Sequence, residues 1–261
     1  MADRGLQEAI RAVGGVTELA RRVGISQPSV SNWGRVPAER VVQVESASGI
    51  ARAILRPDLY VEQDVGDINR ARAQEYGLLA RLLREAPDTA LLKQIGQLQA
   101  DETPLGAAHF ALAQAANEAD AAAIEREFFD LFIGVGRGEL LPYASYYLTG
   151  FLHERPLARL REDLTRIGIA RAERVAEPED HAAILCEIMA GLANGHLPGA
   201  EESSRTIFES HMAPWMGRFF GDLERAESAD FYRQVGTVGR VFIGIETEAF
   251  TLPLRDAQRQ G

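Results

Sequence analysis

A single cysteine, Cys186, stands in 261 residues. No disulfide within the chain is possible, and thiol-based metal sites are nearly excluded. That suits a reducing cytoplasm. Long apolar runs are missing as well. Uncharged stretches such as LLPYASYYLTGFLH (140–153) fall short of the ~20 residues a membrane span needs. The start, MADRGLQEAIRAVGG, mixes acids with bases and has no continuous apolar stretch, so it does not read as a secretory signal. Period-2 alternation, solenoid-length repeats and low-complexity tracts are all wanting. His109, His153 and His196 have no partners at ligand spacing, so neither metal nor cofactor is expected. No Ser/His/Asp or Cys/His set is placed for nucleophilic catalysis, which points away from an enzyme. The expectation is a soluble cytoplasmic protein that stays off membranes.

What is present is enough apolar residue, 46%, for a full core in one large domain or two smaller ones. The net charge of −10 is uneven. Residues 1–60 hold eight Arg and six Asp/Glu, while the rest holds 20 basic and 32 acidic residues. The body therefore repels DNA and attracts cationic partners, and only the N-terminal segment suits phosphate.

Residues 16–35, VTELARRVGISQPSVSNWGR, read as two short helices about a tight turn. Leu19, Ala20 and Val23 share a face, Gly24 breaks the first helix, Ser26 caps the second and Pro28 sits in its first turn. Ala20, Gly24, Val30 and Trp33 have the spacing of packing residues in a DNA-binding helix-turn-helix. With VPAERVVQVESASGI (36–50) and LRPDLY (55–60), this segment resembles the Cro/YdaS-like phage-type repressors. The resemblance implies a compact four- or five-helix domain over 1–60. It places Gln27, Ser29, Ser31 and Asn32 on the outer face of the second helix, with Arg35 just beyond. Gln and Asn pair with adenine edges, and Ser and Arg more often hold phosphate. Repressors of this type usually dimerise on two half-sites, so a homodimer belongs to that expectation.

Residues 61–67 read as a linker, and 68–255 as an all-α body of nine or ten helices. Leu78, Leu79, Leu82 and Leu83 form one stripe; Leu91, Leu92, Ile95 and Leu98 form the next. Thr103 and Pro104 open a helix to 117, and 119–133 carries Ile124, Phe128, Leu131 and Phe132. Pro142 is expected to start a helix bearing Tyr143, Tyr146 and Tyr147, and Pro178, with two acids in the first turn, one over 178–195.

The stretch GVGRG (134–138) invites a phosphate-loop reading, but a helix precedes it, Glu139 stands where a third dinucleotide glycine belongs, and no Lys follows. It reads as a helix terminator and flexible loop.

Four motifs follow in order: Glu125-x-x-Phe128-x-x-Leu131-Phe132, Leu141-Pro142-Tyr143, Pro178-Glu179-Asp180-His181, and His211-x-x-Pro214-Trp215. Together they resemble the TorD/DmsD family of redox-enzyme maturation chaperones over nearly all of 67–250. The resemblance implies an all-α chaperone without covalent catalysis. Such a protein binds the twin-arginine leader and the apo catalytic subunit of a molybdoenzyme until the cofactor is inserted, and it leans towards a formate dehydrogenase as client. A groove for such a leader needs apolar walls with carboxylates at one end. The residues assigned to it are Tyr143, Ser145, Tyr146, Tyr147, Glu179, Asp180, His181, His211 and Trp215, with Asp180 holding arginine and His181 orienting a peptide carbonyl. From residue chemistry alone, Pro178 to Asp180 merely start a helix, and Trp215 is buried at another helix start. The alternative for the whole chain is a DNA-binding transcription regulator whose acidic helical body is a sensor or oligomerisation domain.

Overall fold

The computed structural model describes residues 3–60, 65–170, 177–198 and 201–251. The chain divides into two compact units, 1–68 and 69–261. Of the stretch read as a linker, 61–64 lie outside the described residues, and 65–67 are helical.

Among its described residues the first unit has five complete α-helices: α1 (Arg4–Val13), α2 (Val16–Val23), α3 (Gln27–Ser31), α4 (Val41–Ser48) and α5 (Arg52–Leu55). Asp3 caps α1 by accepting the Leu6 N–H at 2.9 Å. Gly24 ends α2 with φ of 75°, and the Ser26 side chain accepts the Ser29 N–H to start α3. Leu6, Ala9, Leu19, Ala20, Val30 and Leu55 meet in a small buried core, with Trp33 packed at its edge.

Ten further α-helices follow among the described residues: α6 (Val65–Arg84), α7 (Thr89–Ile95), α8 (Pro104–Glu118), α9 (Ala121–Phe128), α10 (Ala144–Thr149), α11 (Arg155–Arg166), α12 (Ala182–Ala193), α13 (Glu201–Ile207), α14 (Met216–Arg225) and α15 (Phe231–Thr251). No strand occurs among the described residues; the only β pairing is an isolated bridge between Tyr143 and His181. Asp88 and Thr103 cap α7 and α8 through the Leu91 and Gly106 amides. Glu127 reaches from α9 to accept the Asp230, Phe231 and Tyr232 amides at 2.6–3.1 Å, which starts α15. Leu79, Leu82 and Leu83 of the α6 stripe are buried and Leu78 is half-buried, while Leu185, Cys186 and Met189 of α12 are inaccessible. Burial pushes the Cys186 thiol far up, so it behaves as a small core residue. Glu246 is buried on α15 but satisfied by a two-pronged ion pair with Arg72 (2.7 and 2.8 Å) and by the Tyr76 hydroxyl at 2.8 Å.

Several boundaries differ from the periodicity. The helix expected over 178–195 begins at Ala182, and the one expected from Pro142 begins at Ala144. Residues 129–133 and 208–212 are single π-helical turns that prolong α9 and α13. The α13 segment carries no clear apolar stripe in sequence, and it is not anticipated.

Helices α14 and α15 approach through glycine. A Cβ on Gly236 would lie 2.7 Å from the Glu224 nitrogen and 2.9 Å from the Phe220 carbonyl oxygen. Gly77, inside α6, has nothing within 4 Å of that position. Gly236→Ala is therefore expected to lose about 1–3 kcal/mol in urea unfolding, and Gly77→Ala to gain up to about 1 kcal/mol. Equal effects would remove the close-approach explanation.

Candidate functional site

The site is built on the segment from the first π-turn to the end of α10. The π-turn directs Gly134 N–H to Phe129 O at 2.7 Å, and the chain folds straight back, with Glu139 N–H on Asp130 O at 3.0 Å and Leu140 N–H on Leu131 O at 2.8 Å. A Cβ on Gly134 would lie 2.1 Å from the Arg137 carbonyl oxygen, and one on Gly138 2.5 Å from the Phe132 carbonyl carbon. The glycines in GVGRG thus permit a tight reversal against the helix end. Val135 stands at the tip, 98% exposed.

The next residues meet a distant part of the sequence. Ala182 N–H donates to Pro142 O at 2.8 Å, and Ala144 N–H to Asp180 O at 3.0 Å. The Asp180 carboxylate accepts the Ser145 N–H at 2.8 Å and the Ser145 hydroxyl as well. It is 1% exposed and serves the first turn of α10. Asp180 therefore lies in the turn before α12 and not in its first turn, and its buried carboxylate is taken up by Ser145. Residues 178–181 form a turn, closed by His181 N–H on Pro178 O at 3.1 Å. Glu179 ties that turn to α11 through Arg161, at 2.8 and 3.0 Å.

His181 is the N-cap of α12. Its Nδ1 accepts the Ala183 N–H at 3.1 Å, so in the neutral ring the proton is on Nε2. It is 8% exposed, and burial lowers its pKa to about 4. Its ring meets Tyr143 edge-on at 4.9 Å. No hydrogen-bond partner of Nε2 occurs among the described residues. The Tyr143 hydroxyl donates to Glu177 at 2.6 Å; burial first, and that carboxylate second, push the phenol pKa well up.

The remaining site residues separate. Tyr147 packs on Trp215 (5.4 Å) and Phe219 (5.9 Å), with its hydroxyl on Asp222 at 3.1 Å. Trp215 is fully buried and donates Nε1–H to the His211 carbonyl at 2.7 Å. His211 pairs through Nε2 with Asp163 at 2.7 Å. Tyr146 accepts a hydrogen bond from Arg137 at 2.7 Å, with the guanidinium over its ring.

Three recesses surround 140–150. One, of about 340 Å³, is walled by Phe132, Ile133, Ile184, Tyr143, Glu177 and His181. A second, of about 390 Å³, lies by Leu140, Leu141, Tyr146, Tyr147 and Arg218. A third, of about 270 Å³, has Ala144, Leu148, Pro156 and His211. The structure therefore joins Tyr143 with His181 and Tyr146 with Tyr147, and puts His211 apart. Ser145, Glu179, Asp180 and Trp215 line none of the three. Each π-turn supplies a recess wall, Phe132 and Ile133 for the first and His211 for the third. Glu177 escaped the sequence reading; no spacing marks it, because only the 143–181 bridge brings it to Tyr143.

In the first unit, α3 buries Val30 and leaves Gln27, Ser29, Ser31 and Asn32 exposed, with Arg35 exposed beyond. Gln27 donates to the Ser31 hydroxyl at 3.0 Å, Ser29 shares a hydrogen bond with Ser26 at 2.7 Å, and Arg35 reaches Asp58 at 3.3 Å.

The family model for the nitrate reductase delta subunit matches residues 98–221, and that for the bacterial toxin YdaS matches 6–64. Chaperone protein TorD of Aliivibrio fischeri is 31% identical over 160 residues, covering 56% of this chain and 73% of that one. The chain belongs to the TorD family. TorD of Vibrio cholerae is 29% identical over 126 residues, and the match spans 57% of its length and 45% of this chain. A crystal structure described as a redox enzyme maturation protein, from Archaeoglobus fulgidus, matches with a TM-score of 0.44 and 23% identity, over 65% of this chain and 93% of that one. Its TorD relatives are named as chaperones, and the TorD family is a non-catalytic one. No helix among the described residues is long and apolar enough to cross a membrane, and no group of three or more potential ligands among them is placed to hold a metal.

The buried imidazole has a measurable consequence. Its folded pKa of about 4 lies below the ordinary value near 6.5. Above pH 6.5 both states are neutral; as pH falls towards 4 only the unfolded chain takes up the proton, so stability drops. His181→Asn keeps a cap acceptor without titrating. Between pH 7 and pH 5 the native chain is expected to lose about 2 kcal/mol more than this variant in urea unfolding. Parallel curves would refute the assignment.

Proposed function

We propose that the second unit holds the twin-arginine leader of a molybdoenzyme at the Tyr143–His181 recess, in the cytoplasm, and keeps the catalytic subunit in its apo form until the cofactor is inserted. The family resemblance favours a formate dehydrogenase as client. One observation carries the reading: His181 offers an unpartnered Nε2–H beside an apolar recess, neutral at physiological pH, within a body of net negative charge. A neutral imidazole N–H in an apolar recess recognises a backbone carbonyl, and the Phe132, Ile133 and Ile184 walls take an apolar side chain. Glu177, at the same recess, replaces Asp180 as the carboxylate for an arginine, since a carboxylate accepts several donors at once. Arg84, also there, is already taken up by Glu187.

The first unit supports a second reading. The exposed Gln27 and Ser31 of α3, its C-cap Asn32 and the YdaS match favour contact with duplex DNA, base edges being met by α3 and its cap and phosphate by Arg35. This does not make the acidic body a sensor; it adds a reading surface to a chaperone.

The client reading is tested by fluorescence anisotropy with a labelled twin-arginine leader. His181→Ala is expected to weaken binding about fivefold, the worth of one hydrogen bond, and Glu177→Gln to weaken it most at low salt. Asp180→Asn is expected to lower thermal stability rather than the affinity of the folded protein. Unchanged affinity in both of the first two variants would sink the site.

A further inference from the structure

The arginines of the first unit are largely answered by its own carboxylates. Arg21 and Arg22 share Glu18, Arg4 pairs with Glu8, and Arg52 with Glu45. The most asymmetric of these arrangements lies just past α3. Arg56, its side chain 9% exposed, places Nε and Nη2 each 2.7 Å from the two Asp58 oxygens and Nη1 2.8 Å from the Val36 carbonyl. Three bonds from a buried guanidinium fix both Asp58 and the chain immediately after α3. Arg35 meets the same carboxylate by one longer contact of 3.3 Å, and its side chain is 62% exposed. The two pairs differ in kind: one is anchored, the other is exposed and screened, and contributes little.

From this we infer that Asp58 competes with a DNA phosphate for Arg35, and so weakens the binding of the unit to a duplex. The inference rests on the DNA reading given above for the first unit. Arg35 is the group that exchanges. When a backbone phosphate approaches, Arg35 leaves Asp58 for it, while Arg56 keeps the carboxylate neutralised and in place. Arg35 then makes one phosphate contact and releases about one counterion. Asp58 acts through Arg35 and makes no contact with DNA; it is a positioning residue that holds Arg35 at the end of the reading helix and competes for it.

Binding of the full-length chain to a fluorescein-labelled duplex of random sequence, measured across a salt series, tests this. Asp58→Asn is expected to tighten binding several-fold at low salt and to steepen the slope of log K against log salt by up to about 1. Arg35→Gln is expected to make the slope shallower by about 0.9, and its loss to be larger in the Asp58→Asn background than alone. A variant that merely loosened the fold would weaken binding instead. Should Asp58→Asn fail to fold, Asp58→Ser takes its place in the same salt series, alone and combined with Arg35→Gln. Binding with the same slope in all variants overturns the role of Asp58 and leaves the DNA reading standing. No binding in any variant overturns both.

Discussion

Two backbone hydrogen bonds and one buried carboxylate hold the centre of the second unit together. Residues 142–144 and 180–182 are far apart in sequence and lie in an all-helical body, yet they pair as two short extended pieces. The pairing leaves first-turn amides of α10 in need of acceptors, and Asp180 supplies one. It equally fixes His181 as the cap of α12. One contact thus starts two helices, aims two rings into one recess and draws Glu177 to Tyr143. Removing the Asp180 side-chain oxygens leaves a polar pocket sealed from water with its donors unanswered, which is far costlier than losing an exposed pair.

That constraint also explains what was legible in the sequence. Leu79, Leu82 and Leu83 of α6 and Leu91, Leu92 and Ile95 of α7 are buried where the pattern puts them, because burial of one helical face is a local property of spacing. The helix-turn-helix is legible for the same reason: Gly24, Ser26 and Val30 act within ten residues of one another. The family motifs made the chaperone body recognisable. The chemistry of the site was less accessible. Pro178, Glu179 and Asp180 have the composition of a helix start, and local propensity alone places them there. A long-range pairing overrides it, and the helix begins four residues later. The π-turns at 129–133 and 208–212 follow from tertiary packing and carry no residue signature. Nor does spacing distinguish Glu177 from the other acids of the body.

The net charge of the body is a poor guide to its local chemistry. Glu246 answers Arg72, Glu179 answers Arg161, Glu224 answers Arg240, and Asp163 answers His211 and Arg166. Glu127 and Glu139 are occupied by backbone amides of 227–232. These carboxylates support the fold, and beyond a Debye length their field is screened. On the proposed reading the excess negative charge would steer a basic segment towards the body without choosing where it lands. The choice falls to groups that stand at an opening.

At the Tyr143 recess the decisive feature is the absence of charge on His181. A protonated imidazole there would lose the Ala183 cap, because Nδ1 would become a donor facing a donor. It would also repel the arginines of a leader. Burial prevents both by keeping the ring neutral. The same burial that costs stability in acid therefore leaves Nε2–H as a directional donor in an apolar recess, where a hydrogen bond is worth more than in water. A carboxylate in that place would attract a guanidinium more strongly but would need its own partner to stay buried, as Asp180 does with Ser145. On the proposed reading the labour divides: the sealed carboxylate builds the frame, the neutral imidazole would read a carbonyl, and the more exposed Glu177 would meet the charge.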